Sequence, residues 1–265
     1  MLNKIIYYFF ISYLIRDMEG ELVSVIIATY NRFPYLLNAI NSVKSQTYKN
    51  IEIIVVNDNS SEEAYYTFDF KKRFGDNFYI VHLPRNSKDI YGFPVPGGHQ
   101  RNIGMNLAKG KFIAFLDDDD IFLPSKIEKQ IIAMKKTACL ISCTEGYIGN
   151  GVYDADKKYN IYHYTGHYWG ALKNIFKNKG DMLENMFKDQ VNIWNEEIVK
   201  HHNCCICSSI MISKDIIKKC GYFPIRNTAD DYAYWLEIIK ITNLVYLREP
   251  LMYFDNGHGS GRNYN

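Results

Sequence analysis

Residues 112–120 read Phe-Ile-Ala-Phe-Leu-Asp-Asp-Asp-Asp, an apolar run that is followed at once by four carboxylates. A short apolar run of this kind is typical of a buried strand in a parallel sheet. The adjacent carboxylates repel one another, which destabilises their loop unless a cation neutralises them. Hard divalent cations such as Mg²⁺ and Mn²⁺ prefer carboxylate oxygens and share their coordination shell with substrate phosphates. The segment therefore predicts a strand end that binds a divalent cation, and the alternative is a solvated acidic turn.

Strands and helices are predicted to alternate on both sides of this segment. Apolar runs predict strands at residues 22–28, 51–56, 78–83, 112–116 and 140–143. Apolar residues at helical spacing predict helices that open at Pro34 and Pro124 or span residues 62–74 and 100–108. Strands separated by helices indicate right-handed crossovers and a mostly parallel, Rossmann-like sheet flanked by helices. The predicted fold class is α/β.

The composition and the net charge of the chain exclude several classes of protein. The chain has 265 residues, 31 basic and 29 acidic, and a formal net charge of +2. This balance provides no global positive field, so we expect no nucleic-acid partner. The apolar share of 47% and the charged share of 23% are ordinary for a soluble globular protein and exclude a disordered or fibrous chain.

Only one pair of the six cysteines, Cys204 and Cys207, has Cys-x-x-Cys spacing, and no second pair completes a zinc site, which favours reduced, buried thiols and a cytoplasmic location. Residues 5–15 are almost wholly apolar but too short to span a bilayer, and no signal-peptide cleavage site follows them. Three alternatives stay open for this N-terminal extension, assigned to residues 1–20. It is an extra element docked on the domain, an interfacial segment that contacts a membrane through residues 4–16, or a product of an early start codon upstream of Met18.

Polar clusters follow three of the predicted strands, at residues 29–32, 57–60 and 117–120. Ligands of open α/β sheets bind outside the carboxyl ends of the strands. Because neighbouring parallel strands bring those ends to one edge, we expect the three clusters to form one binding site. The alternative is that polar residues only mark loops.

Four motifs follow one another along the first half of the chain. They are Ser-Val-Ile-Ile-Ala-Thr-Tyr-Asn-Arg at residues 24–32, Ile-Ile-Val-Val-Asn-Asp-Asn-Ser-Ser at 53–61, Arg-Asn-Ile-Gly at 101–104 with Ala-Lys-Gly at 108–110, and Phe-Leu-Asp-Asp-Asp-Asp at 115–120 with Pro124. In this order the chain resembles the family 2 glycosyltransferases, closely over residues 23–140 and more loosely from residue 208 onwards. The resemblance implies the A-type glycosyltransferase fold and an inverting enzyme that uses a nucleotide-sugar.

The resemblance also implies a nucleotide-sugar site. Asp58 matches a family carboxylate that can accept from the N3–H of uracil, so the donor is expected to be UDP-linked, although Asn57 stands where the family often has Asp. Arg101 lies near the diphosphate or the sugar, and its alternative is a surface arginine at a helix start. The other residues that the resemblance places at the nucleotide or the donor sugar are Ala28, Thr29, Tyr30, Arg32, Asp117 and Asp118.

The family's Asp-x-Asp element implies a metal site. By that match Asp119 is the principal ligand of Mn²⁺ or Mg²⁺, and Asp117 and His258 are further ligand candidates. The ion would neutralise the charge that develops on the leaving UDP. His258 lies in a glycine-rich tail, where the alternative is a solvent-exposed side chain.

The second half of the chain has weaker periodicity. Residues 145–170 are predicted to form a hairpin or a long surface excursion, and residues 171–189 have helical character. Residues 206–212 are predicted as a strand and 214–220 as a short helix that Gly221 closes. We expect residues 21–144 to bind the nucleotide-sugar and residues 145–265 to bind the acceptor, which is a glycan, a lipid-linked molecule or a protein.

An acidic pair, Asp230-Asp231, precedes a predicted helix and matches the acidic pair that the family places there. The resemblance assigns the catalytic base to Asp231, which would take the proton of the acceptor hydroxyl. The alternatives are that Asp230 is the base or that both residues only cap the helix.

Two other function classes stay open. A sugar nucleotidyltransferase also needs an acidic metal site, but it usually has a glycine-rich loop after the first strand, and this chain has Thr-Tyr-Asn-Arg-Phe-Pro. A non-catalytic carbohydrate- or partner-binding protein of the same fold commonly loses the acidic motif or the base, and this chain keeps both.

Overall fold

Four parallel strands form the centre of the fold in a computed structural model, which describes residues 20–257. The strands are β1 (Val23–Thr29), β2 (Ile51–Asn57), β3 (Phe78–His82), β4 (Phe112–Asp117), β5 (Ile121–Phe122), β6 (Ile141–Gly149), β7 (Asn160–Ile161), β8 (Val191–Trp194), β9 (Met211–Ser213) and β10 (Leu244–Asp255). The helices are α1 (Phe33–Lys44), α2 (Ala64–Thr67), α3 (Phe70–Phe74), α4 (Ser87–Tyr91), α5 (Gly98–Leu107), α6 (Lys126–Thr137), α7 (Gly166–Ile175), α8 (Met182–Met186), α9 (Glu196–Val199), α10 (Asp215–Cys220) and α11 (Asp230–Ile239). The predictions for residues 4–16 and for His258 lie outside the described residues.

All of the described strands belong to one sheet, in the order β3-β2-β1-β4-β9-β6-β10-β5, with β7 paired to β6 and β8 to β10. Strands β3, β2, β1 and β4 are parallel, as the sequence predicts. Strand β9 then runs antiparallel to both β4 and β6, and β10 is parallel to β6. The second half of the chain therefore continues the sheet of the first half.

Alternate residues of β1 enter two separate core layers, because successive side chains of a strand point to opposite faces. Ile26 packs in one layer with Phe115 and with Trp235 of helix α11. Val25 and Ile27 pack in the other layer, against α1 and α6. Burial on both faces explains why β1 has the continuous apolar pattern of a parallel strand.

The helix predicted over residues 62–74 is wrong in one respect, since it is broken into α2 and α3. Phe68 adopts extended backbone angles between them, and the Asp69 side chain accepts a hydrogen bond from Lys72 N. Asp69 thus starts a new helix, because a side-chain oxygen at this position satisfies an amide that the first turn leaves unpaired.

The strand predicted over residues 206–212 is also wrong for its first part. Cys207–Ser209 forms a 3₁₀ turn, and regular pairing begins only at Met211 in β9. The Ser209 hydroxyl donates to the carbonyl oxygen of Ile206, and the Ser208 hydroxyl accepts from Asp117 N. Serine side chains that bond to nearby backbone compete with strand pairing.

Of the two alternatives predicted for residues 145–170, the structure shows the hairpin. Strand β6 extends from the predicted 140–143 to Gly149 and pairs with β7, where Tyr147 lies opposite Ile161. A 3₁₀ turn, Tyr162–Tyr164, follows directly and leads into α7.

All six cysteines are free, and five of them are buried. No helix within residues 20–257 combines the length and the apolarity needed to cross a membrane.

Candidate active site

The carboxyl ends of β1 and β4 meet at one edge of the sheet, where Ala28 lies beside Asp117 in the strand register. A cavity of about 310 Å³ opens at this edge. Nine of the residues predicted from the sequence line this cavity: Ala28, Thr29, Tyr30, Arg32, Arg101, Asp117, Asp118, Asp119 and Asp231. The fold thus brings together residues that lie up to about 200 positions apart.

Arg32 neutralises two of the acidic side chains. Its Nη1 atom lies 3.1 Å from Asp118 Oδ1 and 2.6 Å from Asp119 Oδ2. Asp118 Oδ2 also accepts a hydrogen bond from the backbone N–H of Tyr30. The first loop and the acidic run therefore form one connected unit, which follows from the pairing of β1 with β4.

Negative charge is concentrated in this unit beyond what Arg32 offsets. Burial, together with the neighbouring charge of Asp118, raises the pKa of Asp119 to about 8. Burial also raises the pKa of Asp118, against the opposing effect of Arg32. Such shifts indicate that burial and mutual repulsion disfavour the charged form of these carboxyl groups.

The acidic residues suit a divalent ion in their chemistry. Carboxylate oxygens are ligands for hard cations, and Mg²⁺ usually takes only one or two protein carboxylates together with substrate phosphates. Asp117 and Asp119 line the cavity and provide such oxygens. Within residues 20–257 no group of three or more His, Cys, Asp or Glu side chains is arranged as a metal site. The two carboxylates suit a hard cation in their chemistry, and the bound ion itself stays a prediction.

Asp120 turns away from the other three acidic residues. It is fully buried, and its Oδ1 atom accepts a hydrogen bond from the backbone N–H of Asp255. Burial raises its pKa well above the usual range of a carboxyl group. The fourth carboxylate thus anchors β10 and does not line the cavity.

Arg101 connects the acidic run to the second half of the chain. Its Nη2 atom lies 2.5 Å from Asp117 Oδ1, and its Nη1 atom lies 3.9 Å from Asp230 Oδ1. The guanidinium also donates to the carbonyl oxygen of Pro96 and lies over the ring of Phe223. Only 6% of this side chain is exposed, so the surface-arginine alternative is wrong.

The adjacent carboxylates Asp230 and Asp231 have different environments. Asp230 is buried, and its two oxygens accept from the backbone N–H groups of Gly98 and Asp231. Asp231 is only partly buried and lines the cavity. Burial raises the pKa of Asp230 to about 6 and also raises that of Asp231. Of the pair, only Asp231 lines this cavity.

Asp58 lies outside the residues that line this cavity. It is fully buried, and its oxygens accept from the backbone N–H and hydroxyl of Ser87 and from the side-chain amide of Asn86. Burial raises its pKa. The carboxylate therefore joins the end of β2 to the start of α4, and its contact with uracil stays a prediction.

Sequence reasoning missed the residues that the second half of the chain contributes to the cavity. They are Tyr162, Asn203, Cys205, Ile206, Cys207 and Phe254. Pro96, Gly97 and Gln100 of the first half were missed as well, and no motif marks any of these positions. A neighbouring cavity of about 350 Å³, which Asp230 also lines, shares five residues with the first: Pro96, Arg101, Asp117, Cys207 and Asp231. Asp231 thus stands where the two cavities meet.

Comparison with known proteins identifies relatives of this chain. It is 29% identical over 231 residues to the Escherichia coli protein UDP-Glc:alpha-D-GlcNAc-diphosphoundecaprenol beta-1,3-glucosyltransferase WfaP. The matched region covers 85% of this chain and 75% of that protein. A second E. coli protein with the same described activity, WfgD, is 28% identical and covers 86% of this chain and 73% of that protein.

The fold also has counterparts among solved structures. The crystal structure of S. aureus TarS 1-349 in complex with UDP-GlcNAc matches with a TM-score of 0.65 and 19% identity, covering 90% of this chain and 59% of that one. This likeness and the sheet described above agree with the expected A-type glycosyltransferase fold. The family model Glycosyl transferase family 2 matches residues 24–216. The chain therefore belongs to glycosyl transferase family 2.

Proposed function

We propose that this protein transfers a sugar from a UDP-sugar to an acceptor hydroxyl, with inversion at the anomeric carbon. One observation carries the proposal. The carboxylate of Asp231 and the acidic run Asp117–Asp119 line the same cavity, although they come from opposite halves of the chain. An inverting displacement needs this arrangement, because a base must act on the acceptor while the leaving phosphate is neutralised.

The nucleotide is assigned to the β1 and β4 side of the cavity. Ala28, Thr29 and Tyr30 form the floor at the end of β1, and Asp118 holds the backbone of Tyr30. Arg101, fixed by Asp117, provides a positive charge for the diphosphate or for the donor sugar. Ligands of open α/β sheets bind at such strand ends, which supports this assignment.

Asp231 is assigned the role of the general base. Asp230 is a poor candidate, because both of its oxygens already accept backbone hydrogen bonds. Asp231 lies in the first turn of helix α11, whose N-terminal dipole favours the carboxylate form. It would accept the proton of the acceptor hydroxyl as the new bond to the anomeric carbon forms.

A divalent ion, Mn²⁺ or Mg²⁺, would be held by Asp119 and Asp117. When bound, it supplies charge neutralisation at the leaving diphosphate. Arg32 would then keep Asp118 and Asp119 in place. His258 stays a further ligand candidate that the described residues do not test.

The relatives indicate which substrates to try first. The E. coli proteins WfaP and WfgD are described as acting with UDP-Glc on alpha-D-GlcNAc-diphosphoundecaprenol. The S. aureus TarS structure holds UDP-GlcNAc. We therefore propose a UDP-hexose or UDP-N-acetylhexosamine as donor and a lipid-linked sugar as acceptor, so that the enzyme works at a membrane surface.

A donor screen tests the proposal. UDP-, GDP-, TDP- and CMP-sugars are incubated with the protein, with and without Mn²⁺, and release of the free nucleotide is measured. A synthetic GlcNAc-diphosphate that bears a short alkyl chain serves as acceptor, and NMR of the product reports the anomeric configuration. We expect Mn²⁺-dependent release of UDP and an inverted product.

Other outcomes would contradict the proposal in distinct ways. Release of pyrophosphate from a sugar phosphate and UTP would identify a nucleotidyltransferase. Binding of UDP-sugars without turnover under any condition would identify a binding protein. Retention of configuration would exclude a single displacement with Asp231 as base.

A further inference from the structure

An aromatic surface lies beside Asp231 in the cavity. Tyr162 and Phe254 both line the cavity, and their ring centroids are 5.7 Å apart in an edge-to-face arrangement. Tyr168 packs behind Tyr162 at 4.9 Å and donates a hydrogen bond to the carbonyl oxygen of Asn203, another cavity residue. We call Tyr162 and Phe254 the aromatic platform.

The platform belongs to the side of the cavity where the base lies. Tyr162 comes from the 3₁₀ turn that follows β7 and Phe254 from β10, whereas the nucleotide residues come from β1 and β4. Tyr162 and Asp231 line the same cavity, and the charge of Asp231 is one of the smaller causes, after burial, that raise the pKa of Tyr162. In an inverting displacement the group next to the base is the acceptor.

The chemistry of the platform suits a sugar ring. Tyrosine combines an apolar ring with a polar tip, and a pyranose combines apolar C–H faces with a rim of hydroxyl groups. Tyr162 is only partly buried where it lines the cavity. The tip of Tyr162 is therefore available to a hydroxyl group of a ligand.

A buried polar cluster holds the platform in place. His163 follows Tyr162 directly, and its Nδ1 atom lies 2.9 Å from Glu145 Oε2 while its Nε2 atom donates to the carbonyl oxygen of Cys204 at 2.8 Å. The hydroxyl of Tyr246 donates to the same Glu145 oxygen. His163, Glu145 and Tyr246 are each at most 1% exposed.

This cluster joins three parts of the chain around the turn that carries Tyr162. Glu145 lies on β6, Tyr246 on β10, and Cys204 in the loop that carries Asn203 and Cys205. A fully buried polar group strongly restricts its neighbours, because loss of any hydrogen bond leaves an unsatisfied partner. The position of Tyr162 is thus determined by groups that do not themselves line the cavity.

We propose that Tyr162 and Phe254 bind the pyranose ring of the acceptor beside Asp231, and that His163 is a positioning residue that holds this platform through Glu145 and Cys204. The inference rests on the proposed glycosyl transfer and adds the substrate class and the residues that recognise it. It assigns acceptor binding to ring stacking and separates it from nucleotide binding.

The test measures acceptor and donor parameters separately. The wild-type protein is assayed with UDP-glucose and with alkyl-diphosphate glycosides of GlcNAc, glucose and galactose. In Tyr162→Ala we expect the acceptor KM to rise by roughly tenfold or more, as for removal of a buried aromatic contact. The affinity for UDP, measured by calorimetry, should stay unchanged. Tyr162→Phe keeps the ring and should retain most of the acceptor affinity.

His163 and a matched control complete the design. His163→Ala should raise the acceptor KM without changing the affinity for UDP, and His163→Gln, which keeps a donor for the Cys204 carbonyl, should restore part of the loss. Tyr79→Ala removes a 40% exposed tyrosine on β3 and should leave both parameters unchanged. If Tyr162→Ala does not fold, Phe254→Leu provides the same measurement on the other ring.

Two results would overturn the inference. One is an unchanged acceptor KM in Tyr162→Ala or Phe254→Leu. The other is a wild-type protein that hydrolyses UDP-glucose but is stimulated by none of the three pyranose acceptors. A wild-type protein that neither hydrolyses nor transfers any UDP-sugar would instead contradict the proposed function.

Discussion

The backbone N–H of Gly98 donates a hydrogen bond to Asp230 Oδ2 over 2.7 Å, and this contact joins the start of α5 to the start of α11. A Cβ atom at position 98 would lie 2.5 Å from the same oxygen, so only glycine fits without movement. Asp230 is thereby committed to holding two helices together, and the neighbouring Asp231 is left at the cavity. Two adjacent carboxylates of the same type are in this way expected to have separate tasks.

Asp231→Asn and Asp230→Ala are predicted to have opposite effects. The amide of Asp231→Asn cannot accept the proton, so transfer should fall by roughly 10²–10⁴-fold while thermal stability and affinity for UDP are kept. Asp230→Ala leaves the Gly98 N–H and the Arg101 guanidinium without this partner, which should cost about 1–3 kcal/mol of unfolding free energy. Steady-state kinetics and denaturant unfolding of both variants measure these effects. A wild-type transfer rate in Asp231→Asn would exclude it as the base.

Transfer is predicted to need a divalent ion at Asp119. Excess EDTA should abolish the reaction and added Mn²⁺ or Mg²⁺ should restore it, because the leaving diphosphate needs charge neutralisation. Asp119→Ala should be inactive but folded, since Asp118 still pairs with Arg32. Asp76→Ala removes an exposed carboxylate and serves as the control. Full activity in EDTA would show that no such ion takes part.

UDP is predicted to bind better than CDP. Uracil presents an N3–H donor to a carboxylate, and cytosine presents an acceptor at that position, so Asp58 should discriminate between them. Calorimetry with both nucleotides tests this in the wild type and in Asp58→Asn. Because Asp58 also holds Ser87 and Asn86, unfolding of the variant is measured in parallel. Equal affinity for UDP and CDP in the wild type would argue against Asp58 as the residue that reads the base.

Lys126→Met is predicted to change how stability depends on pH. Burial lowers the pKa of Lys126 to about 7, while the same group in the unfolded chain keeps a pKa of about 10.5. The unfolded state therefore binds more protons between these values, and the stability of the wild type falls as pH falls through this window. Lys126→Met removes that dependence. As the pH falls from about 10 to about 7, the unfolding free energy of the variant should therefore rise relative to that of the wild type, by up to about 4 kcal/mol.

Denaturant unfolding at several pH values measures this difference. Lys126→Met also removes the hydrogen bond to Gln130 Oε1, which lowers stability by a similar amount at every pH and does not affect the slope. Lys136→Met, on the exposed side of the same helix, should follow the wild type. Parallel pH profiles for Lys126→Met and the wild type would contradict the shifted pKa.

Local sequence patterns sufficed for the central strands and for most of the cavity floor. The apolar runs of β1, β2 and β4 are buried on both faces, so their strand character is visible without knowledge of their neighbours. Polar residues directly after those runs must lie at the carboxyl edge, so the sequence alone predicts that Thr29 and Asp117 lie together. Parallel pairing of β1 with β4 makes this inference nearly independent of tertiary detail.

Tertiary packing decided the rest. Whether Asp230 or Asp231 lines the cavity depends on the approach of Gly98, a residue 132 positions away in the chain. Tyr162 and Phe254 enter the cavity because β10 pairs with β6 and the cluster around His163 fixes the following turn. Contacts between distant segments leave no periodic signal in either segment. The position of each side chain depends on a contact with a residue that lies far away in the sequence.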